Sequence, residues 1–119
     1  MTREEKTELY NLLVAAHPLA ERKGDTIPYT SLNGHMYSML TKADEVAIRL
    51  PEAERGQFLN KYKSALLQQY GIVQKEYVVV PDVLLKKQKE LAVWFDISYQ
   101  SVCRLKPKPA AKSKKKAEK

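Results

Sequence analysis

The stretch Ile27-Pro28-Tyr29-Thr30-Ser31-Leu32-Asn33-Gly34-His35-Met36-Tyr37-Ser38-Met39-Leu40 decides the fold class. It reads as two strand-like runs joined at Asn33-Gly34, a pair that accepts the positive φ angles of a two-residue hairpin turn. Pro28 has no amide hydrogen to give to a ladder, so the first run is an edge strand or carries Pro28 near its start. Past Lys42 to Asp44, the segment from Glu45 to Leu50 alternates with period two. Val46, Ile48 and Leu50 then share one face, and Glu45, Ala47 and Arg49 are expected to see water. The result is a three-stranded meander. Pairing Met36 and Leu40 with Val46, Ile48 and Leu50 makes a core, which leaves His35, Tyr37 and Met39 together on the opposite face of the second strand.

Working outward, helical signals flank the meander. Thr2 and Glu5 form a capping-box pattern, with Glu4 and Glu5 suited to the positive end of a helix dipole. Leu9, Leu12, Leu13 and Ala16 are expected to form that helix's apolar face, and Pro18 and Gly24 mark where the chain turns. On the other side, Pro51 suits the first turn of a second helix, with Glu52 and Glu54 near its start and Phe58, Leu59 and Tyr62 as its apolar side. Ala65 to Tyr70 either continues that helix or forms a strand ending at Gly71. Lys75 to Val80 is a strand, because three consecutive β-branched residues disfavour helix. Pro81 ends it. Asp82 is placed to cap a last helical region, with Leu84, Leu85, Leu91, Trp94, Phe95, Val102 and Leu105 toward the core, until Pro107. The reading is an α+β fold in two layers, an antiparallel sheet of four or five strands with helices packed on one face, in the order α-β-β-β-α-β(β)-α.

The chain has 119 residues, room for one domain, and a formal charge of +7. That charge is not spread evenly. From Arg104 onward there are eight bases and one acid, whereas residues 1 to 103 hold 13 bases and 13 acids. Two parts are therefore expected: a balanced domain over residues 1–105, and a disordered lysine-rich tail over 106–119 that contains no large apolar side chain to bury. No apolar run approaches the length of a membrane span, and a single cysteine, Cys103, has no internal partner. A cytoplasmic protein without membrane contact is expected.

The ordered set of segments resembles the N-terminal domain of the TfoX family of bacterial proteins. The residues carrying the resemblance are Asn33-Gly34-His35-Met36-Tyr37, Leu50-Pro51-Glu52, Lys75-Glu76-Tyr77-Val78-Val79-Val80-Pro81, Leu91-Ala92-Val93-Trp94, Ser98 and Leu105-Lys106-Pro107. The match runs from Ile27 to Pro107. It implies a two-layer fold with helices on one antiparallel sheet, as a stand-alone domain related to a competence regulator. The chain departs from the family where many members carry a Met-Phe-Gly-Gly type of segment in the first strand, since it has Ile27-Pro28-Tyr29-Thr30.

For chemistry, a nucleophile needs a base within reach and a group that orients the base. His17, next to a proline, and His35, after the hairpin turn, are expected in surface or turn roles. Cys103 is expected as a small buried apolar residue. There is no phosphate-cradling glycine loop, paired-carboxylate motif or Cys-x-x-Cys. No enzymatic activity, cofactor or metal is expected. The leading expectation is an interaction or regulatory domain, with His35, Tyr37 and Met39 as the partner surface for another protein or a second copy. The alternatives are a weak, sequence-independent nucleic-acid contact through Lys106, Lys108, Lys112, Lys114, Lys115 and Lys116, and an enzyme whose active site pairs His17 or His35 with a carboxylate.

Overall fold

In the computed structural model, which describes residues 2 to 105, Asn33 and Gly34 have φ angles of 54° and 84°, so the hairpin turn forms where the Asn-Gly pair places it. It joins β1 (Tyr29–Leu32) to β2 (His35–Leu40), and Pro28 stands just before β1. β3 (Val46–Arg49) completes the meander. α2 (Glu52–Tyr62) leads to a second hairpin, β4 (Leu66–Gln69) and β5 (Ile72–Val80). The ambiguous segment before Gly71 is therefore a strand. Lys63 breaks the helix in the left-handed region, and Tyr70-Gly71, with φ of 55° and 75°, makes the turn. α1 (Arg3–Ala16) precedes the sheet, and α3 (Asp82–Lys86) and α4 (Gln88–Cys103) follow it. The order is α-β-β-β-α-β-β-α-α, with the five strands arranged β1-β2-β3-β5-β4 and every pair antiparallel.

The last helical region is two helices, not one, because Lys87 takes a non-helical conformation between them. Asp82 does not cap: Pro81 occupies the N-cap position without a side-chain bond, and Asp82 instead faces the Lys6 ammonium at 3.6 Å. At the chain start the capping box is complete, with the Thr2 hydroxyl accepting from the Glu5 amide and the Glu5 carboxylate accepting from the Thr2 amide. The Thr2 amide, and after it the Thr2 hydroxyl, hold the Glu5 carboxyl below its usual range. The buried stripe of α1 is Tyr10, Leu13 and Val14, while Leu12 and Ala16 are exposed, which corrects the expected face. Tyr10 joins Leu13 and the partly buried Leu9 against the core, and its hydroxyl finds a partner beneath the helix.

All four helices contribute to one core against the sheet, from Tyr10, Leu13 and Val14 through Phe58, Leu84 and Leu85 to Leu91, Phe95 and Val102. The sheet supplies Leu40, Val46, Ile48, Leu50, Val78 and Val80. Tyr37 also belongs to this core, against expectation. Thr30 pairs with Ser38 and the next residue, Ser31, pairs with Met36, so Tyr37 is one residue too many on β2. Such a bulge puts two consecutive side chains on one face. Tyr37 lies 5.7 Å, ring to ring, from both Phe95 and Tyr99 of α4, and its neighbour Ser38 bonds to Tyr10 of α1. The Ser98 hydroxyl donates to the Tyr37 carbonyl. Beyond the bulge the alternation is inverted, and Met36 joins Met39 on the other face.

Candidate functional site

The shared face expected for His35, Tyr37 and Met39 does not exist. Tyr37 is enclosed under α4, Met39 is buried on the opposite side of the sheet, and His35 is half-buried at the hairpin, opposite Leu32. The bulge is the physical reason, since it rotates Tyr37 out of the row that holds Met39. The tail lysines Lys106, Lys108, Lys112, Lys114, Lys115 and Lys116 lie outside the described residues.

His17 is not a surface group. Its side chain is almost enclosed, with the ring 4.6 Å from that of Tyr99, Nε2 2.9 Å from an Asp96 carboxylate oxygen, and Nδ1 accepting from the Leu19 amide at 3.1 Å. Pro18 turns the chain so that the ring folds back onto α4. A carboxylate does stand beside His17, but with Nδ1 accepting, Nε2 must carry the proton it gives to Asp96. Both nitrogens are engaged, and neither is left to take a proton from a nucleophile. Cys103 is exposed, not buried as expected. It sits one helical turn past Tyr99, whose phenol is held above its ordinary range by burial and then by its hydrogen bond with Cys103.

A second polar group ties α2 to α4. The Tyr62 hydroxyl donates to the Glu90 carboxylate and accepts from the Trp94 indole at 2.9 Å. Phe58 packs edge-on against Trp94. Here too the chemistry is used for packing. Among the described residues, no group of three or more His, Cys, Asp or Glu side chains is placed to hold a metal ion, and no helix is long and apolar enough to cross a membrane.

What stands out is the face without helices. Ala47, expected in water, is fully buried there together with Met39 and Leu67, and half-buried Tyr29, Met36, Tyr77 and Val79 surround them. The cover comes from the second hairpin. Leu66 pairs with Val78 but Leu67 pairs with Gln74, so Lys75, Glu76 and Tyr77 drop out of register with β4 and the strand bends there. The outer half of the hairpin, Leu67 to Gln74, curls back over the sheet. Its tip reaches the β2–β3 connection, where Gln68, Gln69 and Tyr70 face Thr41, Lys42 and Ala43 across an open depression of about 170 Å³. Tyr77 lies across the same face, its hydroxyl donating to the Met36 carbonyl at 2.6 Å. At the tip, Tyr70 is 86% exposed, Ile72 62% and Val73 42%. Sequence reasoning passed over this tip, although the signal was present: the nine residues Leu66 to Gln74 contain no charge and no proline.

The two sheet edges differ. Lys23 forms an antiparallel bridge to Tyr29, with amide-to-carbonyl bonds of 2.8 and 2.9 Å in both directions, and so occupies the outer backbone groups of that residue of β1. The other edge is β4. Compared with known proteins, the chain matches no family model, no curated protein and no solved structure.

Proposed function

We propose that the protein is a non-enzymatic interaction or regulatory domain of the TfoX N-terminal type, acting in the cytoplasm, whose contact surface is the tip of the β4–β5 hairpin. One observation carries this reading. Tyr70, Ile72 and Val73 expose large apolar side chains within four residues of one hairpin turn, on a chain segment free of charge. Clusters of exposed apolar side chains mark interaction sites, and tyrosine is enriched at them. The two histidine nitrogens and the tyrosine hydroxyls described above are committed to packing, which fits a domain whose fold serves to present a surface. Screening the purified protein against metabolite, protein and nucleic-acid pools tests the reading. Binding of a protein that is lost in Tyr70→Ser/Ile72→Ser, with the melting temperature unchanged, supports it. Turnover of a small molecule, abolished by altering one or two residues, overturns it.

The charge distribution favours a second reading, a sequence-independent polyanion contact through the lysines after Leu105, since that segment and Arg104 together hold the whole net charge. Lysine clusters bind polyanions by displacing counterions, so affinity falls steeply with salt. Truncation after Leu105 is expected to abolish binding to a single-stranded oligonucleotide. Unchanged affinity, or affinity insensitive to salt, refutes it.

A further inference from the structure

We infer that the outer half of the β4–β5 hairpin, Leu67 to Gln74, is a hinged cover that opens separately from the rest of the domain and in doing so uncovers the Met39–Ala47 face of the sheet. Three observations converge on this. First, the hairpin has a built-in bend: between the pairs Leu66–Val78 and Leu67–Gln74, three residues of β5 leave the β4 register. Tyr77 is held by β3 instead, opposite Arg49, and the Glu76 carbonyl accepts from the Leu50 amide. The base of the hairpin is thus fixed to the sheet, while the strand pairing of the outer half is with itself alone.

Second, the outer half is pinned at one point. Of the residues from Leu67 to Gln74, only Leu67 is fully buried, and Gln68, Tyr70, Gly71, Ile72 and Val73 are exposed. Elements with few buried contacts occupy the low end of a protein's stability range. Third, the margins of the cover are open to solvent. Open depressions flank it on both sides of Gln68: the one toward Thr41–Ala43, and a larger one of about 600 Å³ bordered by Glu45, Lys63 to Leu66, Val79 and Pro81.

Lifting the cover removes Leu67 from Met39 and Ala47 and leaves an apolar strip of Met36, Met39, Ala47, Tyr77 and Val79. Methionines make such a strip adaptable to different shapes. The base of the hairpin, the bulge on β2 and the helix-side core are untouched by the motion. This inference stands apart from the reading of the tip as a docking surface, because opening is a property of the isolated chain.

Native-state hydrogen exchange tests it. In the two-residue hairpin the amides of Leu67, Gln69, Ile72 and Gln74 point into the β4–β5 ladder, and they report opening of the cover. The Leu40 amide, bonded to the Pro28 carbonyl, reports the main sheet. The cover amides are expected to exchange at least a hundredfold faster than that of Leu40, with a shallow dependence on urea. Leu91→Ala, which weakens only the helix-side core, should accelerate Leu40 on the order of thirtyfold or more and leave the cover amides unchanged. Leu67→Ala should accelerate the cover amides by a similar factor. If Leu91→Ala is too unstable, Val102→Ala serves in the same role. Cover amides that follow Leu40 in rate, in urea dependence and in the response to the core variant overturn the inference, whether or not the tip binds a partner.

Discussion

Replacing Ser38 by alanine should destabilise the domain more than removing the much larger hydroxyl-bearing ring's oxygen in Tyr10→Phe, although both changes delete a single oxygen. The Tyr10 hydroxyl is 2.6 Å from the Ser38 hydroxyl, which is 2.5 Å from that of Thr30, and none of the three residues is exposed. Ser38 is the middle of the chain of hydroxyls. In Tyr10→Phe, Ser38 keeps Thr30 as its partner, so one net hydrogen bond is lost, worth about 1 kcal/mol. In Ser38→Ala both of its bonds go, to Tyr10 and to Thr30, while Thr30 stays a partner for the phenols of Tyr10 and Tyr37. Two net hydrogen bonds are worth about 2 kcal/mol. Once Tyr10 is phenylalanine, Ser38→Ala removes only the bond to Thr30, and the double variant should lie about 1 kcal/mol below the sum of the singles. Urea unfolding followed by circular dichroism measures all three values. Costs that add within about 0.5 kcal/mol, or a larger cost for Tyr10→Phe than for Ser38→Ala, refute the reasoning.

Three other perturbations follow from the geometry. Burial raises the phenols of Tyr10, Tyr37 and Tyr77 above their ordinary value of 10.0, so their contribution to stability is fully present below pH 10 and is lost as pH rises through the raised values; chemical denaturation midpoints should be level from pH 7 to 9 and fall above 10, and a midpoint constant to pH 11.5 contradicts this. Gly24 has φ of 82°, and a Cβ there would stand 2.3 Å from the Ile27 carbonyl oxygen, whereas nothing lies within 4 Å of one at Gly56 in α2. Gly24→Ala should therefore cost more than about 2 kcal/mol and Gly56→Ala should stabilise by about 0.5–1 kcal/mol, opposite shifts in a melting experiment. The Arg3 guanidinium donates to the Thr41 carbonyl at 2.6 Å, to Asp44 at 2.7 Å and to the Thr26 carbonyl at 3.1 Å. Arg3→Lys keeps the charge but not the fork, and should cost about 1 kcal/mol, with amide shift changes at Thr41 to Asp44 in NMR spectra; spectra unchanged there would show the fork to be dispensable.

The parts of the fold that were legible in the sequence are those fixed by neighbours along the chain. Asn33-Gly34, the Thr2/Glu5 capping box and the β-branched run before Pro81 each act within a few residues, and each formed as read. The face of β2 was not legible, because the bulge at Tyr37 is held by residues far away in sequence, Tyr10 through Ser38 and Ser98 through the Tyr37 carbonyl. A period-two reading cannot register an extra residue whose cause lies some 60 positions downstream. The buried stripe of α1 was legible in spacing but not in residue type, since Tyr10, Leu13, Val14 and His17 follow the i, i+3, i+4, i+7 pattern and two of them are usually counted as polar. Ala47 was expected in water because nothing local announces that a hairpin from twenty residues downstream will fold over it. That same omission hid the candidate site, which depends on where the bend at Lys75 to Tyr77 aims the tip.

The unequal treatment of the two sheet edges bears on how the protein would be stored and handled. Lys23 occupies the outer backbone groups of Tyr29 on one edge, and unwanted strand-to-strand growth is expected to begin at the other, in the uncharged segment from Leu66 to Gln74. Uncharged, β-prone segments without proline are the ones that stack into fibrils. Turbidity or fibril-dye kinetics on agitation should thus be governed by this hairpin, and one lysine at Gln68 would lengthen the lag phase more than the same substitution anywhere on the helices.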